Sequence, residues 1–98
     1  MARQIVTINP GNPPTCTPEK VHLSVSAGDF VVWQCSQNFN VMMDHGTVGS
    51  PFLGAKFDQV NNNSGVPLMT VPIGKSIYFK YLVEVGGFVA DPGVFVDA

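Results

Sequence analysis

Ninety-eight residues allow one two-layer hydrophobic core and are too few for two independent cores, so a single domain over residues 1–98 is expected. Hydrophobic residues make up 45% of the chain and charged residues 12%, which argues for a filled core and against disorder. The net charge is −2 and the five cations, Arg3, Lys20, Lys56, Lys75 and Lys80, are scattered, so no basic stripe exists to neutralise a run of phosphates and nucleic acid is not an expected partner.

No stretch approaches the roughly 20 apolar residues that cross a bilayer. The first residues, Met1-Ala2-Arg3-Gln4, lack the apolar core of a signal peptide. The expectation is a cytoplasmic protein or one whose leader has been removed.

Several short runs alternate apolar and polar residues with period two, and none shows a sustained helical period, which makes the fold class all-β. Gln4 to Ile8 reads as a first strand, closed by Asn9-Pro10-Gly11-Asn12-Pro13-Pro14. A second strand has Val21, Leu23 and Val25 on one face and His22, Ser24 and Ser26 on the other, so His22 faces water. After the Ala27-Gly28-Asp29 turn, Val31, Trp33 and Cys35 share an inward parity, and Phe39, Val41 and Met43 share another. From Asp44 to Asn63 the pattern weakens into loop, with a short strand or helical turn near Phe52 to Gln59. Alternation returns around Pro67 to Val71, strengthens at Ile77, Phe79, Tyr81 and Val83, and ends at Val94-Phe95-Val96. Seven to eight short strands at this spacing suggest a Greek-key β-sandwich or barrel.

Three pieces in order resemble the cupredoxins, the family of plastocyanin and azurin. They are Val21 to Trp33 (VHLSVSAGDFVVW), then Phe39-Asn40-Val41 followed by Asp44, then Gly74 to Tyr81 with a terminal Gly93-Val94-Phe95-Val96. The resemblance implies a cupredoxin-like fold and, for a secreted member, a periplasmic or extracellular location. In that family a copper ion is held by two imidazoles, one thiolate and a weak axial thioether. Carried over residue by residue, the first histidine falls on Phe39, the cysteine on Leu82 or Val83, the second histidine between Val85 and Gly87, and the methionine near Ala90 to Pro92. None of these supplies the imidazole, thiolate or thioether that the family's site requires. Beyond Met69 the chain contains no Cys, His or Met, so a shift of register does not restore the set. The resemblance therefore implies a member without the type 1 copper site.

The remaining soft and nitrogen donors are Cys16, Cys35, Met42, Met43 and His45. They define the alternative reading, a redox or copper-handling protein with a non-standard site. Alternation sends Met43 inward and Met42 outward, against a shared site. Cys16 and Cys35 leave two readings open, a disulfide closing a loop of about 18 residues or two buried thiols. No catalytic set is apparent, so an enzyme is not expected. Asn62-Asn63-Ser64 matches a glycosylation acceptor inside an Asn-rich turn. Phe88 and Val89, with Phe52 and Leu53, define a candidate apolar surface for another protein or a small ligand. The competing reading is that Phe52 and Phe88 plug the end of the sandwich. The first functional reading is thus a metal-free, non-catalytic binding or structural module.

Overall fold

The computed structural model describes residues 2–43 and 49–98. The described residues form ten strands: β1 (Arg3–Asn9), β2 (Thr15–Thr17), β3 (Lys20–Ser24), β4 (Phe30–Cys35), β5 (Asn40–Met42), β6 (Lys56–Asp58), β7 (Ser76–Lys80), β8 (Leu82–Val85), β9 (Phe88–Ala90) and β10 (Gly93–Asp97). They contain no helix, and so none long and apolar enough to cross a membrane.

Hydrogen bonding groups the strands into three sheets, ordered β2-β1-β4, β3-β10-β7 and β6-β5-β8-β9. The all-β expectation holds; the strand number is higher than seven to eight, and no sheet closes into a barrel. The extra strands have a physical origin. Gly93 pairs with Lys80 in β10–β7 and Val83 with Ala90 in β9–β8, which is one continuous antiparallel register, and the Tyr81 N–H donates to the Pro92 carbonyl between the two halves. Pro92 has no N–H to return that bond, so one long hairpin is split into two strand pairs. Gly86 and Gly87 turn it, with φ of 61° and 86°. Positive φ at both positions is what a two-residue hairpin loop of matching twist demands.

Alternation places the core. Val6 and Ile8, Val21 and Leu23, Val31 and Trp33, Val83 and Val85, and Val94 and Val96 are all buried. Phe39, Val41, Met43, Phe57, Phe79 and Tyr81 complete the apolar filling of a sandwich-like arrangement. The segment Pro67 to Val71, expected as a strand, is not one: it lies between Pro67 and Pro72 and is tied to the chain by the Leu68 N–H donating to the Pro51 carbonyl.

The Asn-rich tract closes the outer edge of β4. Trp33 N–H donates to the Asn62 carbonyl, Asn62 Nδ2 to the Trp33 carbonyl, Ser64 N–H to the Val31 carbonyl, and Val31 N–H to Ser64 Oγ. The amide nitrogen a glycan would take is thereby committed to the backbone.

Candidate functional site

The alternative metal donors are spread through the sandwich. Ile8 of β1 is opposite Cys16 on one side and Cys35 on the other, so a strand separates the two cysteines. Two inter-strand spacings put their Cα atoms about 9.6 Å apart, beyond the span of about 4.4–6.8 Å that a disulfide bridges. Both are free thiols, Cys16 buried and Cys35 half-buried, and the bridge left open by the sequence is not made. Met43 is fully buried and Met42 half-buried on the other face of β5. His45 and Asp44 lie outside the described residues. Among the described residues, no three His, Cys, Asp or Glu side chains converge on a common point. Where the resemblance would put copper ligands, Phe39, Val83 and Val85 are core residues, while Gly86 and Gly87 form the hairpin turn.

Cys16 belongs instead to a buried polar chain. The Trp33 indole N–H donates to the Tyr81 hydroxyl at 3.3 Å, and that hydroxyl is hydrogen-bonded to the Cys16 thiol. Burial pushes the Cys16 thiol up to about 11, more than the Tyr81 bond lowers it. Burial likewise raises the Tyr81 hydroxyl. At neutral pH both keep their protons, which makes Cys16 a poor nucleophile and a poor metal ligand.

The other side of Cys16 faces a cleft of about 320 Å³, walled by Pro13, Pro14 and Thr15 on one side and by Val89, Ala90 and Pro92 on the other, with Glu19 and Asp91 also lining it. The cleft arises from a change of sheet. The chain pairs with β10 as β3, while the residues just before it, β2, pair with β1 in a different sheet.

The expected apolar surface is divided. Phe52 is 6% exposed and packs edge-on against Phe57, at 6.2 Å between centroids; of its two readings, surface and core plug, it takes the core one. Leu53, 89% exposed, borders a separate shallow groove with Val66 and Leu68. Phe88 and Val89, 45% and 51% exposed, sit on β9, at the opposite edge of the four-stranded sheet from β6. The sequence grouped these residues by hydrophobicity alone, and the register of β5, β6 and β8 separates them.

The outer face of β3-β10-β7 carries a feature the sequence reading missed. His22, Phe95 and Tyr78 are directly opposite one another in one row. The His22 and Phe95 rings stack at 4.6 Å with a 6° interplanar angle, and Tyr78 lies 4.6 Å from Phe95. His22 Nδ1 is 3.0 Å from Asp97 Oδ2, and Ser76 donates to the other oxygen of Asp97. The carboxylate sits between hydroxyl and imidazole, so the imidazole is not placed to activate the serine. Stacking face to face occupies the ring faces with one another, which makes the row a cross-strand brace for the sheet. The signal was present as outward parity at residues 22, 78 and 95, but only register shows that they meet.

No protein-family model matches the chain, and no curated protein or solved structure matches it.

Proposed function

We propose that the chain is a non-catalytic, cupredoxin-like binding module, Greek-key in topology and without a type 1 copper site, which contacts another protein or ligand at the cleft between β2 and β9. The observation that carries this reading is an open cleft with the half-exposed Val89 in its wall. A concave, partly apolar site rimmed by a few polar groups is the usual form of a binding site. The sequence resemblance supports the fold assignment, and the lack of His, Cys or Met at all four ligand positions supports the loss of copper.

Against a copper-handling site stand the strand between Cys16 and Cys35, the protonated Cys16 thiol and the opposite faces of Met42 and Met43. The deciding experiment is titration of the purified protein with Cu(I), Cu(II) and Zn(II). The expected result is no binding tighter than about 10 μM. Tight one-to-one binding abolished by His45→Ala or Cys35→Ser would establish the copper-handling reading instead.

A further inference from the structure

The cleft is bounded by an unpaired strand edge. In the β8–β9 hairpin the two-residue turn makes Val85 and Phe88 the first hydrogen-bonded pair, and pairing then alternates along the ladder. Val89, opposite Glu84, falls in a non-hydrogen-bonded pair, so its N–H and C=O point away from β8. The same alternation continues along the strand: Gly93, on the same parity, turns its N–H outward to the Glu19 carbonyl at 3.1 Å. There it meets β3, which begins at Lys20. Further back the chain before Lys20 has already crossed to β1 as β2. Among the described residues, β9 pairs with β8 and with no other strand.

Other edges of the sheets carry the features that discourage strand addition. Asn62 and Ser64 cover β4; β3 presents Lys20 and His22; β7 lies between Lys75 and Lys80; β6 presents Lys56 and Asp58; β2 is bracketed by Pro14 and Pro18. β9 reads Phe88-Val89-Ala90, with neither charge nor proline before Asp91 and Pro92 end it, and Phe88 and Val89 stand about half-exposed on it.

We infer that β9 takes up an extended segment of a partner protein as an added strand, lying in the cleft along the line that β3 leaves vacant. This rests on the reading of the cleft as the binding site and names its occupant. The backbone of Val89 offers one outward donor and one outward acceptor, which an extended chain matches and a compact ligand does not. Pro13 and Pro14 also line the cleft, and residues without an N–H disfavour the sheet edge of a second copy there. Lys80 is engaged by Asp91 at 2.9 Å, so Glu19 sets the charge of the rim. The segment is therefore apolar at alternate positions and carries a basic residue toward Glu19.

The test uses an acetylated, amidated nine-residue peptide of alternating threonine and valine between terminal lysines, and the same peptide N-methylated at alternate residues. Binding to the whole chain is followed by amide chemical shifts. Saturable binding is expected, with shifts at Phe88–Ala90 and Thr15–Thr17, weakened at least tenfold by N-methylation and by Val89→Pro. Proline at Val89 removes a donor that the hairpin itself does not use. Should that variant fail to fold, the N-methylated peptide on the wild-type chain decides. The inference is overturned by the absence of saturation up to ~1 mM peptide, by equal binding of the N-methylated peptide, or by self-association through β9. The metal titration tests the binding-module reading separately, so a failure of strand addition is distinguishable from a failure of that reading.

Discussion

Trp33 and Tyr81, both about 1% exposed, meet edge to face at 5.8 Å and 71°, and the indole N–H of the first donates to the hydroxyl of the second. That hydroxyl also engages Cys16, so a single oxygen satisfies polar groups from three strands or strand junctions deep in the core. Tyr81→Phe leaves the indole N–H buried without an acceptor and is expected to lower stability by about 1–3 kcal/mol. Trp33→Phe loses packing as well as the donor. The double variant should cost clearly less than the sum of the two single ones, because it removes both ends of the bond. Urea unfolding followed by far-ultraviolet circular dichroism measures all three. Strict additivity would show that the bond contributes nothing.

The two thiols should differ in reactivity. Cys16 is 9% exposed and its thiol is pushed up to about 11, whereas Cys35 is half-buried. At pH 8 the thiolate fraction of Cys16 is about one in a thousand. Iodoacetamide should label Cys35 first in the native protein and reach Cys16 only after denaturation, as read by mass spectrometry. The raised value also fixes an alkaline limit. An acid held protonated by the fold contributes its full stability below its unfolded value of 9.0 and loses it as pH rises through about 11. Urea midpoints should therefore fall across this interval, and less steeply in Cys16→Ala.

Much of the core was legible because period-two alternation survives every local interruption. The inward parity of Val31, Trp33 and Cys35, and of Ile77, Phe79, Tyr81 and Val83, required nothing beyond the sequence. The number of strands was not legible, since alternation runs unbroken through Tyr81 and only its pairing with a residue that lacks an N–H, Pro92, divides the ribbon. Hydrophobicity identified Phe52 and Phe88 as candidates but not their fates: one packs on Phe57 and the other stands at a sheet edge. The cleft itself depends on β2 and β9 facing each other across a change of sheet, and no local pattern encodes that meeting.

Asp97 provides the acid-side counterpart. Its carboxyl is held below its ordinary value of 3.8, first by the Ser76 hydroxyl and then by His22. A depressed carboxyl contributes stability above its unfolded value, and that contribution is lost as pH falls through the lower, folded value. Because the carboxylate is only half-buried, at the sheet surface, the effect is small and screened by salt. Melting temperatures of the wild type should exceed those of Asp97→Asn at pH 6 and converge toward them as pH falls below the ordinary carboxyl value of 3.8. A gap that persists unchanged at low pH would place the effect of the substitution elsewhere.

Gly93 and Tyr78 give a sharper test of the outer face. A Cβ built on Gly93 would overlap the Tyr78 ring, at its hydroxyl and the neighbouring ring carbons, so the tyrosine occupies the space above the glycine. Tyr78 also packs on Phe95, and Lys20 Nζ lies 5.9 Å from its centroid. Gly93→Ala must push the ring away from this position. Because the ring is half-exposed it can swing outward, so the expected outcome is a folded protein weakened by about 1–2 kcal/mol through loss of the cross-strand contacts. In a Tyr78→Thr background the same Gly93→Ala change should cost little, since no ring remains to be displaced. The coupling between the two sites, read from urea unfolding of the four proteins in the cycle, should therefore be about 1 kcal/mol. If Gly93→Ala is equally harmful with and without the tyrosine, the glycine is required by the backbone alone and the ring above it is incidental.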